Sequence, residues 1–243
     1  MFSVEKEKSN NKIDKKVLYI ISSIILILIT GVGIFIYLNT NNYDNIKKDV
    51  NKDLVYTRFK RNIEDNKTEV PIININSTDA DKINKEIVDI MNGFLKEENN
   101  LSDYEYSINK NILSVVLVMI NNNTDTTPKF SFKTYNINLT TLKKISNSEL
   151  LSMYNTNETE VSNSIKNQFK EYYEEEISNG YIVKEECDYK CYITWRGITD
   201  YIDKVEYYVD DNKLYAYKEF NPYSIYEEED YYNLDSFMFY IKD

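Results

Sequence analysis

The chain has 243 residues, 42% of them hydrophobic and 14% aromatic, and carries a formal net charge of −11. That length admits one or two domains with a real core. The absence of His removes Ser-His-Asp and Cys-His catalysis and every His-containing metal site, and two Cys are too few for a four-thiolate zinc centre. No cofactor and no nucleic-acid partner is expected, and catalysis, if any, falls to carboxylates.

The first element in chain order is a membrane anchor. Residues 17–38 read VLYIISSIILILITGVGIFIYL, 22 positions without a charge. A bilayer core of about 30 Å needs roughly 20 apolar residues in a helix, so this run is long enough to span. Tyr19 and Tyr37 lie near its ends, where aromatic rings favour the interface. A cleaved signal peptide would have a shorter apolar region, about 7–15 residues, ending in a small-residue cleavage site. Here the run passes into Asn39-Thr40-Asn41-Asn42. The tail 1–16 holds Lys6, Lys8, Lys12, Lys15 and Lys16 against Glu5, Glu7 and Asp14, a net of +2. Cations beside the helix stay inside. The N-terminus is therefore expected in the cytoplasm, with the remainder, −13 in charge, outside the cell.

Residues 39–53 read as a polar stalk. Residues 54–59 and 69–75 follow as strands, with Pro71 placing the second at an edge or at its own start. Thr78-Asp79-Ala80-Asp81 opens a helix in which Ile83, Ile87, Ile90, Met91, Phe94 and Leu95 recur at helical spacing. Residues 104–109 and 112–121 form a hairpin about Lys110-Asn111. The second of these strands, apolar almost throughout, is expected to be central and covered on both faces. Phe130, Phe132 and Thr134 alternate along a further strand, and 148–151 suggests a short helix. A long helix is predicted from about Glu158 to Ser178, turning Val161, Ile165, Phe169, Tyr172 or Tyr173, and Ile177 inward, with Gly180 stopping it. Strands are predicted over 181–184, 192–195, 205–209, 214–220 and 237–241, and Asp210-Asp211-Asn212-Lys213 is turn chemistry. Trp195, in an alternating run, is expected in the core. This order gives an α+β fold with mainly antiparallel sheets and packed helices behind one N-terminal transmembrane helix. Two small subdomains are expected, 54–140 and 141–243.

Three acidic and aromatic clusters stand out: Tyr172-Tyr173-Glu174-Glu175-Glu176, Tyr207-Tyr208-Val209-Asp210-Asp211, and the stretch from Tyr223 to Tyr232. Carboxylates speed encounter with a cationic partner, and Tyr supplies rigid contact area. Such runs also serve simply to solvate a surface. The candidate binding residues are Tyr223, Tyr226, Glu227, Glu228, Glu229, Asp230, Tyr231 and Tyr232. No Asp-x-Asp-x-Asn-Gly loop for Ca²⁺ occurs, and no metal ligands are assigned. Cys187 and Cys191 flank Asp188-Tyr189-Lys190. Four residues on a straight strand span roughly 13 Å, beyond disulfide reach of about 7 Å, whereas a tight turn would bring the sulfurs together. A disulfide pinning a hairpin is expected ahead of a metal-binding or catalytic thiol.

Several stretches resemble one bacterial ectodomain family in order and spacing. They are Val55-Tyr56-Thr57, Pro71-Ile72-Ile73-Asn74-Ile75, Ile83-Asn84-Lys85-Glu86-Ile87, Leu113-Ser114-Val115, Tyr135-Asn136-Ile137-Asn138-Leu139-Thr140-Thr141 and Asn221-Pro222-Tyr223-Ser224-Ile225. Together they cover most of 54–241 and resemble the RsiV-like ectodomain family. That family comprises lysozyme-receptor anti-sigma factor ectodomains and the related non-catalytic module of peptidoglycan deacetylases. The resemblance implies a non-enzymatic, membrane-anchored sensory or binding module recognising lysozyme or another cationic envelope-active protein. The alternatives are a non-catalytic accessory module in cell-wall metabolism and, third, a carboxylate-based wall hydrolase. Two departures bear on the signalling role. The inner tail of about 16 residues is too short for an anti-sigma clamp at ~1.5 Å per residue. Glu227 to Tyr232 also stand where the family often has small residues and Gly.

Overall fold

A computed structural model of the chain describes residues 43–63, 66–122, 128–221 and 237–243. The expected membrane span 17–38 and the acidic segment 223–232 lie outside those residues. Among the described residues no helix is long and apolar enough to cross a membrane. The described elements are α+β, and every strand pairing within the three sheets is antiparallel.

The first sheet is a hairpin of β1 (Val55–Ile63) and β2 (Asn66–Ile73). Its register slips between Thr57 and Phe59, leaving Arg58 as the extra residue of a bulge. Pro71 sits opposite Thr57, and a residue with no N–H to donate is tolerated in a ladder at such a bulge. Helix α1 (Thr78–Phe94) is capped by Ser77, whose Oγ accepts from the Ala80 amide. It buries Ala80, Ile83, Ile87 and Met91; of the predicted stripe, Ile90, Phe94 and Leu95 are only half-buried.

The second sheet runs in the order β3 (Leu101–Asn109), β4 (Ile112–Asn121), β5 (Lys129–Asn138), β6 (Lys143–Ile145). Strand β4 lies between two neighbours and is buried from Ile112 to Val118. Its run, apolar but for Ser114, therefore reflects cover on both faces. Residue 140 lies in the turn joining β5 to β6, and Ile46–Asp243 cluster as one compact unit.

Helix α2 (Asn147–Met153) starts with a capping box between Ser146 and Glu149. Helix α3 (Glu158–Ser178) buries Val161, Ile165, Phe169 and Tyr173, one residue per turn. Phe169 reaches Phe239 and Phe220 with ring centroids 5.0 and 5.1 Å apart. The third sheet, β7 (Val205–Asp210), β8 (Lys213–Lys218) and β9 (Met238–Lys242), lies beneath α3. Its first hairpin turns on Asp211 and Asn212, both with positive φ, as a two-residue turn matching strand twist requires.

Two predicted strands are absent. After Gly180, at φ +77, the amides of Tyr181 and Ile182 donate to the Glu176 carbonyl, so the helix end consumes the groups that a ladder at 181–184 would need. Residues 192–195 belong to helix α4 (Tyr189–Trp195). Asp188 caps it by accepting from the Cys191 amide at 2.8 Å, a local bond that outweighs a four-residue alternation. Trp195, expected in the core, is 47% exposed at the last turn of this helix.

Both outer edges of the third sheet are closed by side chains. On β9, the Tyr240 carbonyl accepts from Ser164 and Gln168 of α3, and its amide donates to Gln168 Oε1. On β7, the Val209 amide donates to Ser114 Oγ, Ser114 donates to Asn136 Oδ1, and Asn136 Nδ2 donates to the Tyr207 carbonyl. Ser107 donates to the Val209 carbonyl. An unpaired strand edge is a template for aggregation. Here Ser107, Ser114 and Asn136, on the face of the second sheet that also carries Val116, Val118, Phe130 and Phe132, occupy it and hold β7 against β3, β4 and β5.

Candidate functional site

The docking of β7 carries one of the three acidic–aromatic clusters to a surface groove. A depression of about 490 Å³ is lined by Glu69 of β2, Tyr104, Glu105 and Tyr106 of β3, and Tyr208 and Asp210 of β7. Three carboxylates and three phenols from three strands of different sheets share one opening. Thr57 Oγ1 lies 3.0 Å from the Tyr104 hydroxyl and donates to Glu69 Oε2 at 3.4 Å, tying the two walls together. Lys60 approaches Glu69 at 3.8 Å from an exposed position.

Tyr208 and Tyr106 hold their protons beyond the ordinary phenol range. Burial pushes the Tyr208 hydroxyl up to about 12; a hydrogen bond from Ser107 opposes this, and the carboxylates of Asp210 and Glu105 add to it. Tyr106 is raised by burial and then by Asp53 and Tyr104. Neutral phenols beside carboxylates give hydrogen-bond acceptors and π faces for an ammonium or guanidinium group. Alternation along β7 explains the arrangement. Tyr207 and Val209 enter the core under α3, while Tyr208 packs on the other side, edge-on to Tyr217 at 5.9 Å.

The cluster at 172–176 has a structural role. Tyr173 is buried and donates to the Cys187 carbonyl at 2.9 Å. Tyr172 packs against the core, and Glu176 pairs with Arg196. Burial raises the Glu176 carboxyl despite that guanidinium. Arg196 stacks over Tyr192 at 4.9 Å, and its carbonyl accepts from the Asn221 amide at 2.8 Å. This network therefore fixes the chain where it leaves β8. The candidate binding residues Tyr223, Tyr226, Glu227, Glu228, Glu229, Asp230, Tyr231 and Tyr232 lie outside the described residues.

Cys187 and Cys191 are bonded, with Cα atoms 5.3 Å apart. The bridge spans the Asp188 cap and first turn of α4, where a hairpin was expected. Among the described residues, no group of three or more Cys, Asp or Glu is arranged to hold a metal ion.

Of the groove, Tyr208 and Asp210 belong to a cluster visible in the sequence. Glu69, Tyr104, Glu105 and Tyr106 were read only as strand residues. The Tyr104-Glu105-Tyr106 triplet repeats the Tyr–acid signature at shorter length, and that was the available signal. Comparison with protein-family models and with curated proteins gave no match.

Proposed function

We propose that this chain is a single-pass membrane protein with a cytoplasmic N-terminus, whose extracellular domain binds a cationic protein, lysozyme or another cationic envelope-active protein, as a sensory or binding module and not as an enzyme. The groove of Glu69, Glu105 and Asp210 framed by Tyr104, Tyr106 and Tyr208 is the observation that carries this reading. Its charge suits a cationic surface, and the rings of Tyr104 and Tyr106, at least partly exposed, offer contact area at low entropic cost. The uncharged run 17–38, the −13 balance beyond it and the resemblance to RsiV-like ectodomains support the same reading. The disulfide fits an oxidising exterior.

The test is binding of the detergent-solubilised full chain to lysozyme at low and high salt, beside the variant Glu69→Gln/Glu105→Gln/Asp210→Asn. Binding is expected at low salt, weaker at high salt and reduced about tenfold or more by the triple change. No binding at low salt would retire lysozyme as the partner. Binding indifferent to the three substitutions would remove the groove from the argument.

A further inference from the structure

The acidic balance of the chain hides a reversal of sign. Residues 46–63 hold Lys47, Lys48, Lys52, Arg58, Lys60 and Arg61 against Asp49 and Asp53, a net of +4. Residues 64–243 hold 18 cations against 34 carboxylates, a net of −16. The cations therefore collect in the part of the domain that directly follows the apolar run.

Structure brings two of them, Lys48 and Arg58, together with Lys85 of α1 around one opening. A depression of about 470 Å³ between the β1–β2 hairpin and α1 is lined by Lys48, Tyr56, Arg58, Asp81, Asn84 and Lys85, among others. Lys48 pairs with Asp81 at 2.8 Å and Lys85 loosely with Asp89 at 3.7 Å. Lys52 stands 5.6 Å from the Tyr56 ring centroid. Arg58, the extra residue of the bulge, has no ion-pair partner among the described residues. Bulges re-aim side chains, and this one turns a guanidinium, suited to phosphate oxygens, into the opening.

An independent feature lies in the same segment. Val50 is 61% exposed and Phe59 46% exposed, two large apolar side chains set among the cations. Cations interleaved with exposed apolar residues are the composition of surfaces that rest on anionic lipid, the cations meeting phosphates and the apolar groups entering the headgroup boundary.

We propose that this basic face docks on anionic phospholipid headgroups of the membrane in which the chain is anchored, with Arg58 as a phosphate-binding residue and Val50 and Phe59 as interfacial contacts. The proposal rests on the anchor reading. Seven residues separate Leu38 from Ile46, and the eight residue steps between them reach at most about 28 Å. An anchored domain thus keeps its cationic segment close to the bilayer, while 64–243 carries the charge that anionic lipid repels. Docking gives the domain a fixed attitude. Thr57, which ties the walls of the acidic groove, and Arg58, in the basic opening, are adjacent on β1.

The experiment uses the full chain in nanodiscs of phosphatidylcholine alone or with phosphatidylglycerol. With Cys187 and Cys191 bonded, Phe59→Cys supplies a single free thiol for an environment-sensitive fluorophore. The expected result is blue-shifted emission and quenching by headgroup-proximal spin-labelled lipid, severalfold stronger with phosphatidylglycerol. Molar salt or Lys52→Glu/Arg58→Glu should abolish the difference. Equal quenching in both lipids, or quenching that survives the charge reversal, overturns the docking. An equal shift on adding inorganic phosphate to phosphatidylcholine discs also overturns it, as the mark of a free-anion site. Failure of the chain to co-purify with the discs would overturn the anchor and the docking together, a result distinct from incorporation without lipid dependence.

Discussion

The substitution Asn136→Ala tests how β7, and with it one wall of the acidic groove, is held. Asn136 is 3% exposed, accepts from Ser114 Oγ at 2.5 Å and donates to the Tyr207 carbonyl at 2.9 Å. Truncation deletes two buried hydrogen bonds, each worth about 1 kcal/mol net, and leaves the Tyr207 carbonyl without its partner at a further cost of about 1–3 kcal/mol. The expected loss is about 3–5 kcal/mol, or about 6–20 °C in melting temperature for a domain of this size. Asn111→Ala is the control. Its amide makes one long, exposed contact to Thr140 Oγ1 at 3.4 Å, and its loss should fall within about 0.5 kcal/mol. Urea unfolding followed by Tyr and Trp fluorescence reads both. A double-mutant cycle with Ser114→Ala should return a coupling of about 0.5–3 kcal/mol, since the two side chains share one relay. Lysozyme binding by Asn136→Ala at a temperature where it remains folded should also weaken, because Tyr208 and Asp210 ride on β7. If Asn136→Ala and Asn111→Ala cost the same, side-chain closure of the strand edge is not what fixes β7.

Reduction of the Cys187–Cys191 bridge, or the double change to Ala, releases a loop of about five residues and should cost about 2 kcal/mol, read as a lower melting temperature in dithiothreitol. Arg196→Ala leaves the largely buried Glu176 carboxylate without its ion-pair partner and should cost about 3–5 kcal/mol by denaturant titration, with Arg196→Ala/Glu176→Gln recovering part of it. Because burial raises the folded-state carboxyl of Glu176, its contribution is fully present below the ordinary value of 4.5 and declines as pH rises through the raised one. Glu176→Gln should therefore flatten the stability profile just above pH 4.5; an unchanged slope there would count against a raised carboxyl. Gly197 has φ +70, and an added Cβ would lie 2.8 Å from Asn221 Nδ2, so Gly197→Ala should destabilise by about 1–3 kcal/mol in the same titration.

Much of the fold could be read locally. The α3 stripe of Val161, Ile165, Phe169 and Tyr173 recurs every four residues, and the apolar run 112–118 left no solvent face for β4. Both are signals that nearest neighbours in the chain carry. The misread segments were short. Four residues at 192–195 alternate as a strand would, but one Asp188 cap and a disulfide sufficed to wind them into α4. Trp195 then fell at the exposed end of that helix. Gly180 was legible as a stop, yet the reuse of the following amides by the helix end was not.

The sequence by itself determined the uncharged run 17–38, the net positive charge of 46–63 and the net negative charge of 64–243, and the periods of the main helices and strands, because each is a property of neighbouring residues. Only the tertiary structure decided which carboxylates meet. Glu69, Glu105 and Asp210 come from strands far apart in the chain and converge because Ser107, Ser114 and Asn136 hold the edge of β7 against the second sheet. The same packing sent Tyr173 and Glu176 inward, and of the cluster at 207–211 it buried Tyr207 and Tyr208 and left Asp210 exposed at the groove. Tyr–acid chemistry thus became core at Tyr173 and Tyr208 and candidate binding surface at Tyr104, Glu105 and Tyr106, because burial depends on what packs across from a residue and not on its neighbours in the chain.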